Sequence, residues 1–432
     1  MNAKASAYWG KIRSSRLAKD SFWAVFGNGL GYGFLMLAGI VIANFLGVDA
    51  YGEFGIVKTT MLYIAGFATL GLGISSTKYI ANALKEDRPA VRSLSHDAIQ
   101  ITLVFSALLA AGLFIAANPL ARFLDEPGLA GAFRILGVII VCKALNTTQN
   151  GILAGFGDFR AIARNNVISS LAMLAGCVPL TCWFRLDGAL GILFFSQALN
   201  ALLNWISLRR LIKGLSGQKN VSRKRELCLF SFPIALQELN YTVCSWGGIM
   251  LLTKLSSASQ VGLYTAAAMW NGVITFIPGL LSNVILSHLS GTAGDKASHR
   301  HTLKTMLGVN FITTIIPFAA VYLLAGLITG FYGSTFTGLE SVLRIMTLAT
   351  VFSACSTVLY SELISRGHNW LSFLCRIMQE GTLFAVGWVL LVKWSGQSGA
   401  VCFACAYLIS AMVSFSAPLL CVALLRNRCT AA

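Results

Sequence analysis

Long apolar stretches follow one another along this chain with almost no polar sequence between them, and this limits the fold more than any motif does. A membrane-spanning helix needs about 20 predominantly apolar residues. Twelve such stretches can be drawn, near 21–43, 55–77, 98–118, 129–153, 162–184, 188–207, 229–252, 260–287, 306–328, 339–362, 371–392 and 399–425. Only 11% of the residues are charged, against roughly 25% in a soluble domain. The expected class is therefore an all-α polytopic membrane protein with short connections and no soluble domain. Lys4, Lys11, Arg13, Arg16 and Lys19 precede an apolar run too long for a cleavable signal, so that run is expected to stay as the first membrane helix.

Positive charge sorts by side. Of the 33 Lys and Arg, with Arg164 at the edge of the fifth span counted with its loop, 24 fall on the N-terminus, the even-numbered loops and the C-terminus, 4 on the odd-numbered loops and 5 inside spans. Positive charge collects on the cytoplasmic side, so both termini are expected there. The net charge of +17 is then a topology signal with some attraction to anionic lipid, and not a sign of nucleic acid.

An offset of 210 residues organises the rest. It pairs Gly128 with Gly338, Leu129 with Leu339, Arg134 with Arg344, Ile135 with Ile345 and Val141 with Val351. It also pairs Ser21 with Ser231, Phe22 with Phe232, Gly52 with Gly262, Leu153 with Leu363 and Gly157 with Gly367. One offset held over so long a stretch argues for an internal repeat. The expected organisation is a basic N-terminus at 1–20, a six-helix bundle at 21–207, a basic linker at 208–227, a second bundle at 228–425 and a tail at 426–432. Because six is even, both bundles enter the membrane in the same sense. Such parallel repeats are typical of transporters that alternate access at the repeat interface.

Charges inside the spans single out the candidate site. A charge at mid-bilayer costs at least about 2.5–3.5 kcal/mol, so it normally faces a cavity or a partner. The embedded cations are Lys58, Arg134, Lys143, Arg344 and Arg376, and the deep carboxylates are Glu238 and Glu380. Arg134 and Arg344 sit close enough to helix ends to reach the interface by snorkelling, which competes with a cavity role. Lys58 has the same alternative. Lys143 lies mid-span, nine residues from Arg134, which turns it to the opposite helix face. Asn146 and Asn150 continue its stripe. That stripe reads as part of a wet, cation-lined path, with a helix–helix hydrogen-bond seam as the competing account. Arg376 and Glu380, four apart, are placed to neutralise each other. Glu238, among Gln237, Asn240 and Tyr241, suits ion coupling or structural pairing. Five cations against two carboxylates favour an anionic passenger.

Other chemistry is poorly supported. The eleven cysteines lie mostly in apolar segments, as Cys142, Cys244 and Cys355 do, and there act as small hydrophobes. Cys402 and Cys405 have metal-like spacing but no second pair, so no metal or other cofactor is expected. His96, His288, His299, His301 and His368 form no catalytic pattern, and no phosphate-binding Walker loop exists. The chain is not expected to be an enzyme.

The turn LGVDAYGEFG at 46–55, GLGISSTKYIA at 71–81, GILAGFGDFRAIARNNVISSL at 151–171 and SQVGLYTAAAMWNGVITFIPGLLSNVILSHLS at 259–290 resemble the polysaccharide-repeat-unit (O-antigen, Wzx-type) flippases. These belong to the superfamily of multidrug and oligosaccharidyl-lipid exporters. The resemblance implies two six-helix bundles forming a V, a MATE-like transporter of the bacterial inner membrane. It implies flipping of an undecaprenyl-diphosphate-linked glycan, with membrane lipids as surroundings and a glycan polymerase and chain-length regulator as candidate protein partners. A cationic lumen would attend the diphosphate, which suits Lys58, Lys143 and Arg376. The alternative is a cation-coupled small-molecule exporter of the same fold, against which the basic excess speaks. A glycan polymerase or ligase would be expected to carry a large outer loop, which is absent here, while a non-transporting assembly subunit stays open.

Overall fold

The computed structural model describes residues 16–126, 128–213, 223–279, 281, 285, 289, 296–394 and 398–431. Residues 1–15 of the basic N-terminus, 214–222 of the linker and His288 lie outside the described residues, as do the side chains of the 426–432 tail. Every described regular element is an α-helix. In order these are α1 (Arg16–Ala68), α2 (Leu72–Glu86), α3 (Ala90–Phe123), α4 (Leu129–Gly155), α5 (Phe159–Lys213) and α6 (Lys224–Leu255). Then come α7 (Ala258–Ile274), α8 (Lys296–Leu323), α9 (Ala325–Gly330), α10 (Leu339–Ser365), α11 (Asn369–Lys393) and α12 (Gly399–Ala431). Eight of the described helices are long and apolar enough to cross a membrane.

Two of those eight are broken. Gly47, at φ 74 and ψ 174, interrupts α1, and Arg185, at φ 52 and ψ −125, interrupts α5. The arms of α5 fold back on each other as an antiparallel hairpin. Ser196 Oγ lies 3.8 Å from Met173 Sδ, and Asn165 bonds Asn204 at 2.9 Å, so the partner numbers fall as the sequence rises.

The chain forms two compact units, the first of Met1–Phe45 and Val57–Thr242, the second of Leu46–Ile56 and Val243–Ala432. In the first, α4 packs against α2, α3 and α5; in the second, α10 packs against α7, α8 and α12. Among the eight candidate spans these two helices are the most buried, with 50% and 56% of their most apolar windows inside the protein. They are also the pair related by the 210-residue offset, and each has 27 residues. Both end alike. Gly157 at φ 76 and Gly367 at φ 79 hold the left-handed conformation that closes a helix. The closing bonds also match: Asp158 N to Leu153 O at 3.0 Å, and His368 N to Leu363 O at 2.9 Å. The outer faces are apolar, as at Ile115 and Leu323, each 79% exposed. Lipid solvates such faces, so their exposure is expected of a membrane protein.

Inside the second unit, residues 48–56 and α7 run side by side in the same direction. Asp49 accepts a hydrogen bond from Ser259, the next contact is Gly52 with Gly262, and the next Gly55 with Thr265. Each pair is separated by the 210-residue offset. A Cβ on Gly262 would lie 3.1 Å from Gly52 N and 2.6 Å from Val48 O, and one on Gly52 would strike the carbonyl of Ala258. Small residues let the backbones approach this closely where lipid gives little drive for helix association. Gly52→Ala is expected to destabilise the protein by about 1–3 kcal/mol, as overpacking does. Gly131→Ala, with no atom within 4 Å of the added carbon, should be neutral. Thermal unfolding in detergent checks this, and equal effects of the two changes would contradict it.

Candidate functional site

The first unit carries Lys58, Arg134, Lys143, Asn146, Asn150 and Glu238; the second carries Arg344, Arg376 and Glu380. The two lysines stand apart from the other charges. Both are half-buried in apolar helices, and neither ammonium has an ion pair or hydrogen bond among the described residues. An amine so placed retains its full demand for an anion, a carbonyl or water.

The stripe beside Lys143 meets α5. Asn146 Nδ2 donates to the backbone oxygen of Gln197 at 3.0 Å and to its Oε1 at 3.1 Å. Asn150 Oδ1 accepts from Asn204 at 3.0 Å. From there the amides form a ladder. Asn204 donates to Asn200 at 3.0 Å, Asn200 to Asn166 at 2.9 Å, and Asn166 to Asn28 of α1 at 2.9 Å. Such bonds between membrane helices contribute about 0.6–2 kcal/mol each. Asn146 Oδ1 and Gln149 Oε1 are buried without a hydrogen-bond partner among the described residues, so polar capacity persists next to Lys143. Sequence reasoning missed the α5 members of this ladder. Their signal was the spacing of Asn200, Asn204 and Ser207 on one arm and Asn165, Asn166 and Ser169 on the other.

Glu238, half-buried, has its carboxylate 3.5 Å from where a Cβ on Gly66 would stand, and the rings of Tyr63 and Tyr241, each three residues away along its own helix, meet edge-on at 5.4 Å. Arg134 is exposed, bonded to Asn118 at 3.1 Å, with its guanidinium 5.7 Å from the Phe114 ring centre. Arg344 differs from its offset partner: it pairs with Glu340 at 2.6 Å and lies 5.4 Å from the Tyr322 ring. Arg376 and Glu380 do not form an ion pair. Arg376 takes the face of Tyr360 at 5.0 Å, while buried Glu380 accepts from Ser245 at 3.1 Å.

A further ionic cluster was invisible from sequence. Glu362, fully buried, accepts from Arg366 at 2.6 Å and meets His299 at 2.8 Å. Its place near the end of α10 reads as exposed until α8 is seen to bring His299 against it.

A family model described as "Polysaccharide biosynthesis protein" matches residues 17–287, more than half of the chain. The chain belongs to this family. Among relatives, the EPS I polysaccharide export inner membrane protein EpsE of Ralstonia solanacearum is 25% identical over 374 residues, covering 82% of this chain and 84% of that one. The succinoglycan biosynthesis transport protein ExoT of Rhizobium meliloti is 21% identical over 399 residues, covering 91% and 75%. Solved structures give the fold of this family member. An inward-facing multidrug resistance MATE family transporter of the MOP superfamily superposes with a TM-score of 0.79 at 15% identity, covering 92% of this chain and 96% of that one. The lipid II flippase MurJ, inward closed, gives 0.72 at 15% identity, covering 92% and 87%. The fold is therefore MATE-like.

Removing one partner from a buried ion pair costs about 3–5 kcal/mol, because a charge is stranded. Glu362→Ala, which strands both His299 and Arg366, is expected to show a loss of this size in thermal stability. His299→Ala should lose less, since Arg366 still pairs with Glu362. A Glu362→Ala protein as stable as the parent would contradict the assignment of this cluster as a structural tie.

Proposed function

We propose that this protein is a flippase that carries an undecaprenyl-diphosphate-linked oligosaccharide across the bacterial inner membrane by alternating access. One observation carries the reading: Lys58 and Lys143 sit half-buried among apolar helices with no anion supplied by the described residues. A passenger bearing a diphosphate would supply it. The membership in a polysaccharide biosynthesis family and the export functions named for the relatives support the substrate class.

The architecture we propose is twelve spans in two parallel six-helix repeats, bundles at 21–207 and 228–425, forming a V with both termini cytoplasmic. Splitting α1 at Gly47 and α5 at Arg185, and counting α6 and the segment that begins with α7, takes the eight candidate spans to twelve. The in-register contacts at 49/259, 52/262 and 55/265 support parallel repeats, because inverted repeats would pair rising numbers with falling ones. In this reading Lys143, Lys58 and Arg376 attend the diphosphate, with Asn146 and Asn150 shaping the same wall and Arg134 and Arg344 nearer the surface. Glu238 and Glu380 are the carboxylates available for ion coupling. A glycan polymerase and a chain-length regulator are the protein partners this reading admits.

Lys143→Ala should reduce surface glycan to background while the protein stays at its normal level in the membrane, with the lipid-linked intermediate accumulating. Lys143→Arg should keep part of the activity, since charge is retained and geometry is not. Full surface glycan in Lys143→Ala would remove the central residue of the account and favour the small-molecule exporter.

A further inference from the structure

Arg134 does not stand alone on the surface of the first unit. It closes one end of an open apolar groove of about 490 Å³ between α3 and α4. Ala107, Ala111 and Phe114 of α3 and Gly137 and Val141 of α4 line it. The floor is where the helices come closest, since a Cβ on Gly137 would lie 3.2 Å from the carbonyl of Ala110. The rim is apolar and exposed, with Ile115 at 79% and Val138 at 54%, which marks a face turned to lipid.

Direction and charge say what fits there. Arg134 lies five residues into α4, about 8 Å from its first residue at 1.5 Å per residue. From Arg134 to Cys142, the last lining residue of α4, the groove runs about 12 Å further along the helix. One leaflet of hydrocarbon is about 15 Å deep, half of a 30 Å core. The cation thus stands at the headgroup end of a channel that reaches towards the bilayer centre. Its only polar partner among the described residues is neutral Asn118. At the offset position in the second unit, Glu340 neutralises Arg344, whereas the residue matching Glu340 in the first unit is Ala130.

We propose that this groove seats an anionic bilayer phospholipid, its phosphate on Arg134 and one acyl chain along α3 and α4. The groove lies within the depth of one leaflet and opens to it, which suits a resident bilayer phospholipid. The site is independent of the flippase reading.

Native mass spectrometry of the full-length protein in neutral detergent tests this, with phosphatidylglycerol and phosphatidylcholine of identical chains. Retention of phosphatidylglycerol should exceed that of phosphatidylcholine about five-fold, the attraction expected of one basic residue at an anionic lipid. Arg134→Gln should abolish the preference, while Arg134→Lys and Arg344→Gln should keep it. Ala111→Trp, which fills the groove and leaves the charge, should lower retention of both lipids. Unchanged preference in Arg134→Gln, or unchanged retention in Ala111→Trp, would overturn the proposal. Displacement of phosphatidylglycerol by an equal concentration of a polyprenyl diphosphate would overturn it too, since the groove would then belong to the carrier lipid.

Discussion

The hydrocarbon core of a bilayer offers no hydrogen bonds, and the rest of this structure follows from that. Backbone groups must be satisfied within each segment, so the described elements are all helices. Side-chain amides must find one another, and six asparagines in the first unit do so across α1, α4 and α5. Buried charges must be tied, as Glu362 is by His299 and Arg366. Against that background the exceptions carry function. Lys58 and Lys143 are the embedded cations whose charge nothing described in the protein answers, and in the function proposed here an anionic passenger would complete them.

The same constraint explains how far the sequence could be read. Hydropathy placed one span at 129–153 and another at 339–362, and the helices run Leu129–Gly155 and Leu339–Ser365, because glycines with left-handed backbone end both. The gap left between 184 and 188 contains Arg185, where α5 turns back. What composition could not reveal is which side chains meet. Glu362 looked peripheral because a helix end is normally wet, yet α8 covers it. Arg376 and Glu380 have the spacing of an ion pair, but an aromatic face and a hydroxyl compete for them successfully. Neutral amides barely alter hydropathy, so the α5 asparagines escaped attention despite their helical spacing.

Positions matched by the 210-residue offset carry unlike polar chemistry. Arg134 and Arg344 occupy matching places, one beside Asn118 and Phe114, the other held by Glu340. Glu362 has Ile152 as its counterpart, so the tie to His299 and Arg366 has no equivalent at the matching position of the first half. Glu238 corresponds to Asn28, an end of the asparagine ladder. The buried carboxylates are unlike as well: Glu362 and Glu380 lie in the second unit and Asp97 in the first, where it accepts from the backbone N of Arg223 at 2.8 Å.

The central claim is movement of a lipid-linked glycan between leaflets, and reconstitution measures it most directly. Purified protein would be placed in vesicles loaded with a polyprenyl-diphosphate oligosaccharide. A membrane-impermeant glycosidase added outside then reads the fraction of glycan facing outward over time. The account predicts that this fraction rises with time only in vesicles containing the protein, and that an ion gradient changes the rate. A fraction indistinguishable from protein-free vesicles, alongside protein-dependent transport of a small cationic drug, would contradict it.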